Sequence, residues 1–301
     1  MLIGDGLALA SAFFFAMANV AIAKAAREKA PDNAVLLSIV LTAALSALAF
    51  LLRPASMPHS GSRMLPTVAW FALSGILATV WGRQTMFKAV RFAGVIRATT
   101  IRRLTPFFSI VLGAVLLGES VSGFAVLGAI LIVASFALIY ADNRRKFAES
   151  ELFPGAKIPL GYTYGAISAL VYAVSYIARK RGLQSLPDPY FGALLGSVTA
   201  LTYYLIGCLF SSRFRAEVKA LLSAPNAWQF FAALCISCGQ ISQFMALNYI
   251  GVGRLAVINS AELFLSTYLA VIVFGTESWP SVLVLLATVL AAAGVILFAA
   301  G

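Results

Sequence analysis

Acidic residues, histidine and cysteine are scarce in this chain. Its 301 residues include 11 Asp and Glu together, one His and three Cys, and that scarcity removes whole classes of chemistry. There is no HExxH, no clustered His or Asp and no convincing serine elbow; "GESVS" (118–122) is only superficially like one. No catalytic residue, metal or cofactor is therefore expected, and the chain does not read as an enzyme. The cysteines are Cys208, Cys235 and Cys238. "CISC" is formally a C-x-x-C, but it lies mid-way along an apolar run, without the helix-start setting that activates such thiols. It reads as two small residues on one helix face. His59 lies in the polar loop "RPASMPHSGSR" (53–63). No segment alternates like a strand, which argues against an outer-membrane barrel.

What is present is apolar length. Hydrophobic residues make up 61% and charged residues 11%, with a mean hydropathy of +0.93, as expected of an integral membrane protein. A hydrocarbon core of about 30 Å needs about 20 helical residues. Runs of that order occupy 6–23, 33–52, 65–88, 95–117, 121–141, 159–179, 189–210, 227–248, 255–275 and 279–300, which predicts an all-α protein with ten transmembrane helices. The turns "RFAG" (91–94) and "ESVS" (119–122) are so short that the helices they join must be antiparallel. The first run lacks a basic start and a small-residue cleavage site, so it is expected to be a retained helix rather than a signal peptide. The net charge is +11, but Lys and Arg cluster at run ends ("KAAREK", "NRRK", "ARKR", "SRFR"), where they anchor loops at lipid head groups. That distribution makes membrane lipid, and not nucleic acid, the partner of the positive charge.

The chain also repeats itself at an offset of 157 to 159. "SAFFFAMAN" (11–19) aligns with "SALVYAVSY" (168–176), "RQTMFKAV" (83–90) with "SQFMALNY" (242–249), and "LLGES" (116–120) with "FGTES" (274–278). The expected organisation is a first five-helix repeat at 1–145, a linker at 146–158 and a second five-helix repeat at 159–301. Five crossings per repeat force the second repeat to enter from the opposite side, so the repeats are inverted. Inverted repeats are a recurrent plan of secondary transporters, with the solute site near the bilayer midplane.

Together with the five-plus-five layout, "RFAGVIRATTIRRLTPFFSIVLGAVLLGES" (91–120) and its echo "IGVGRLAVINSAELFLSTYLAVIVFGTES" (250–278) resemble the EamA-type members of the drug/metabolite transporter superfamily, over essentially the whole chain. The resemblance implies a metabolite carrier, names no solute, and implies cytoplasmic termini. Where the first repeat has Pro106, the second has Leu263, Phe264 and Leu265, so a helix kink is expected at Pro106 and in one repeat only.

Polar residues inside apolar runs mark the candidate pathway. Arg102 and Arg103 lie about 10 Å from the nearer end of their run, and an arginine facing lipid at a helix centre costs about 2.5 to 3.5 kcal/mol. Both must face protein, water or counter-charge, and about 100° separates successive side chains. The acidic candidate is Glu262, equivalent to Arg103 at the longer offset. An arginine–Glu262 contact would be either a structural ion pair or part of a path in which Glu262 carries a proton and an arginine anchors an anion. Arg83, Gln84, Gln240, Gln243 and Asn259 are further candidates to line the path or to bond helix to helix, with Gln84 and Gln243 equivalent. Asn19 and Tyr176 are also equivalent, with Tyr172 one turn earlier. Lys88, Arg91 and Arg97 suit head-group anchoring, and Glu119 and Glu277 suit capping. "GYTYG" (161–165) and "GALLG" (192–196) are small-xxx-small patterns that permit close packing or dimerisation.

These readings converge on a secondary transporter in a bacterial inner (plasma) membrane, working as a monomer or homodimer. Its cargo would be a small polar metabolite such as an amino acid or related carboxylate-bearing solute, exported by alternating access with proton coupling through Glu262. A passive facilitator, a lipid-linked flippase and an intramembrane enzyme are the rival readings. The charge distribution conflicts with the resemblance over orientation, because Lys and Arg are about twice as numerous in the odd-numbered loops, which places both termini outside the cytoplasm.

Overall fold

The computed structural model describes residues 2–27, 34–52, 64–93, 98, 101–146, 158–222, 226–272 and 282–300, and within them the regular secondary structure is entirely helical. In chain order the helices are α1 (Leu2–Arg27), α2 (Ala34–Leu51), α3 (Met64–Gly75), a π-helical segment (Ile76–Trp81), α4 (Gly82–Ala93), α5 (Thr105–Leu117), α6 (Gly123–Lys146), α7 (Ile158–Ser185), α8 (Pro189–Phe210), α9 (Ser212–Leu222), α10 (Ala227–Tyr249), α11 (Val252–Asn259), α12 (Glu262–Ile272) and α13 (Val282–Ala300). Among the described residues six stretches are long and apolar enough to cross a membrane: Leu2–Ala25, Met64–Ala93, Pro159–Ser185, Pro189–Phe210, Ala227–Tyr249 and Val252–Ile272. Leu36–Leu51, Thr105–Leu117, Gly123–Leu138 and Leu285–Phe298 are shorter apolar helices.

Two compact units divide the chain, and each draws helices from both sequence halves. The first comprises Met1–Ile76, Ala178–Ile250 and Glu262–Ser278; the second comprises Leu77–Ile177, Gly251–Ala261 and Trp279–Gly301.

In the first unit small residues set the packing. Ala8, Ala12 and Ala16 recur every fourth position along α1 and are fully buried. α1 packs on α10, where Ser11 Oγ donates to Gly239 O at 2.9 Å. With no hydrophobic drive between helices in lipid, such close backbone approach supplies dispersion and hydrogen bonding. α3 meets α8 at Gly75 and Gly196, where a Cβ on Gly75 would sit 2.3 Å from the Gly196 carbonyl oxygen. Phe71 fills the space left by Gly182 and Gly192 and meets Phe191 and Phe244 at ring-centroid distances of 6.2 Å. Both "GALLG" glycines therefore serve packing inside the chain.

In the second unit α6 packs on α13 through Gly128 and Gly294. The "GYTYG" glycines do the same work here, Gly161 against Ala93 and Gly165 against Ile101.

Several expectations change. The third span does not end at 88 but runs to Ala93, so residues 91–93 of the supposed "RFAG" turn are helical. The sixth span runs on to Ser185, carrying "ARKR" within the helix. "SRFR" opens a helix, α9, where a loop was expected; Phe214 packs there on Tyr203 and Tyr204 of α8. His59, Arg97 and Glu277 lie outside the described residues.

Candidate functional site

The run predicted as the fourth span is broken at the arginines. Arg103 and Leu104 form a turn and the helix restarts at Thr105. Leu104 N–H donates to Ile101 O at 3.0 Å, and Thr105 Oγ1 donates to Arg102 O at 2.7 Å. Pro106 stands in the first turn of the restarted helix, where its missing N–H costs nothing. It starts a helix rather than kinking one. The kink was also expected in one repeat only, yet the ninth span breaks at Ser260 and Ala261 with no proline. Ser260 N–H donates to Val257 O at 3.0 Å and Ala261 N–H to Ile258 O at 3.1 Å. Ser260 Oγ also turns back onto Val257 O at 2.6 Å. Tight three-residue bonds with a hydroxyl on the preceding turn close both breaks, and helix restarts at Thr105 and Glu262 align the repeats at an offset of 157. In that register Arg102 matches Asn259, and Glu262 matches Thr105 rather than Arg103.

The second unit holds both breaks, and the helix that restarts at Glu262 belongs to the first. The Arg102 guanidinium lies 4.4 Å from the centroid of the Tyr172 ring, and that of Arg103 lies 5.8 Å from that of Phe136, so successive side chains go to different helices. Tyr172 itself packs on Gly82, whose Cβ would fall 2.8 Å from the ring. Ser168 Oγ, one turn earlier, donates to Gly82 O at 2.7 Å. Arg83, beside that glycine, is half-buried, and its Nη1 is buried without a hydrogen-bond partner among the described residues.

Glu119 pins the entry to α11. Its carboxylate accepts from Val252 N–H at 2.7 Å and Gly253 N–H at 3.2 Å, a charge-assisted cap on two amides that no helix can satisfy internally. A Cβ on Gly251 would sit 2.7 Å from Glu119 Oε2. Two residues after Gly251, Gly253 rests on Ile110 of α5. The start of α11 thus packs on the middle of α5. Asn259 is 8% exposed, and neither its Oδ1 nor its Nδ2 has a hydrogen-bond partner among the described residues.

The first unit holds Glu262. It opens α12, where the positive helix end favours a carboxylate, and its Oε1 accepts from Asn19 Nδ2 of α1 at 2.7 Å. The partner seen is an amide from the first helix, whereas an arginine was expected.

Gln240 and Gln243 hold a group the sequence reading missed. Arg179, grouped among head-group anchors, is 4% exposed. Its Nη1 donates to Gln243, its Nη2 to Gln240 at 3.0 Å, and it lies over Phe244. Lys180 donates to the carbonyls of Leu247 and Ile250 at 2.5 and 2.9 Å, closing the end of α10. The only advance signal was that "ARKR" follows an apolar run without a break. Gln84 is exposed and lies in the second unit, while Gln243 is buried in the first, so these repeat-equivalent residues have different surroundings. Tyr176 is half-buried in the second unit.

These features define a helical, multi-pass membrane protein with helix breaks at 103–104 and 260–261 beside polar side chains. The model of the EamA-like transporter family matches the chain twice, at residues 2–141 and 159–300, and the chain belongs to that family. A solved structure titled only as the crystal structure of a protein shares the fold with a TM-score of 0.73. It is 20% identical and the match covers 98% of each chain. Comparison with curated proteins finds no match.

Proposed function

We propose that this chain is a secondary transporter that exports a small polar metabolite, an amino acid or related carboxylate-bearing solute, across a bacterial inner membrane by alternating access. In this reading ten spans form two inverted repeats, 1–145 and 159–301, joined by 146–158. The observation that carries it is the pair of helix breaks at 103–104 and 260–261. Discontinuous helices present backbone termini and polar side chains at membrane depth only where they line a cavity or are buried in protein. In the second unit Arg102 anchors the carboxylate of the solute, Tyr172 backs the guanidinium, and Arg103, Arg83 and Gln84 keep the path polar; in the first, the Glu262 carboxylate carries the coupling proton. Asn19 orients that carboxylate, while Tyr176 contacts the apolar part of the solute. Gln240 and Gln243 act through Arg179.

Purified protein in liposomes, offered amino acids, organic acids and cationic drugs in turn, tests this. Carboxylate-bearing solutes should cross at least tenfold faster than through protein-free liposomes. Rates no higher than those of protein-free liposomes for every class would end the transport reading.

A further inference from the structure

The side chain of Asn259 demands a partner of a particular kind. The backbone carbonyls at this end of α11 are occupied by the chain itself, Ala256 O and Val257 O by Ser260 N–H and Ile258 O by Ala261 N–H. The helix end is therefore satisfied, and what is left over is the amide, with both of its polar atoms buried and unpaired among the described residues. A buried, unpaired donor and acceptor are each costly. An amide kept in that condition beside a helix break marks a place where a partner arrives and leaves.

The chemistry of the amide narrows that partner. A carboxylate would satisfy Nδ2 alone, and an ammonium or metal cation Oδ1 alone. A planar edge with one donor beside one acceptor satisfies both in a single two-bond ring, as Asn does on the edge of adenine. We infer that Asn259 is a solute-recognition residue that takes a carboxamide-like edge, a donor beside an acceptor, at the break of the ninth span. This rests on the transport reading and adds to it the polar group the solute carries besides its carboxylate.

The test uses matched probes on the purified full-length protein. L-glutamine and nicotinamide carry the edge; L-glutamate and nicotinate are their isosteric acids. Binding is titrated by calorimetry and by thermal shift. The amide of at least one pair should bind at least tenfold tighter than its acid, equivalent to about 1.4 kcal/mol. Asn259→Leu should melt no lower than the parent when empty, and both it and the smaller Asn259→Ala, which have neither donor nor acceptor, should lose the amide preference. Equal binding of amide and acid in both pairs, no binding of either amide, or a preference that survives both substitutions overturns the inference. If Asn259→Leu fails to fold, Asn259→Ala and the parent's own selectivity still decide it. Flux separates this from the broader reading: transport without amide selectivity removes only the role of Asn259, and amide-selective binding without flux of any solute removes only transport.

Discussion

Asn19 Nδ2 lies 2.7 Å from Glu262 Oε1, across 243 residues of sequence. Both belong to the first unit, so an amide from the first helix of one sequence half holds the membrane carboxylate of the other.

Glu262→Gln keeps the size and the hydrogen-bonding capacity of this side chain and removes its ability to ionise. Gradient-driven solute flux in liposomes should fall at least tenfold, while exchange of solute for solute, which needs no net proton movement, persists. Full gradient-driven flux in the variant would make Glu262 a structural residue.

The two arginines should not be equivalent. Arg102→Ala removes the exposed guanidinium over Tyr172 and should cut flux at least tenfold. Arg103→Ala, whose guanidinium lies over Phe136, should cut it less than threefold, and Tyr172→Phe should keep most activity because the ring face remains. Equal, mild losses in both arginine variants, with normal folding, would mean that neither touches solute.

Glu119 is a stability residue. Glu119→Ala leaves the Val252 and Gly253 amides without their carboxylate and should cost about 3 kcal/mol, the low end for two charge-assisted hydrogen bonds of about 1.5 to 3 kcal/mol each. Glu119→Gln, which keeps one acceptor, should cost about half as much. Chemical unfolding in detergent measures both, and a neutral Glu119→Ala would show that the cap contributes nothing.

Close helix approach predicts which glycines tolerate a methyl group. Gly75→Ala and Gly128→Ala would drive Cβ to 2.3 and 2.4 Å of backbone carbonyl oxygens, forcing helices apart at a cost of about 1 to 3 kcal/mol. Gly6→Ala meets nothing within 4 Å and should be neutral or slightly stabilising, by at most about 1 kcal/mol. Melting temperatures of the three variants rank them directly.

Much of the candidate site was legible because polar residues inside apolar runs are conspicuous. Arg102, Arg103, Asn259 and Glu262 stand out wherever 20 neighbours are apolar, and Pro106 announces a discontinuity by its missing N–H. The second discontinuity was not legible. Ser260 and Ala261 have no strong breaking signal, and the interruption is made by short-range bonds to Val257 and Ile258 that an uninterrupted helix would not form. Arg179 was misread for a related reason, since a charge at the end of an apolar run looks like an anchor until Gln240 and Gln243 arrive from another helix.

By itself the sequence determined the apolar helices, the repeat, and the small-residue patterns of "GYTYG" and "GALLG", because hydropathy, periodicity and side-chain volume are local properties. Packing settled that Glu262 meets Asn19, that Glu119 caps α11, that Arg179 is buried on two glutamines and that the Asn259 amide is unpaired among the described residues. Those outcomes depend on hydrogen-bonding groups, most of them far apart in the chain, coming within about 3 Å, or failing to.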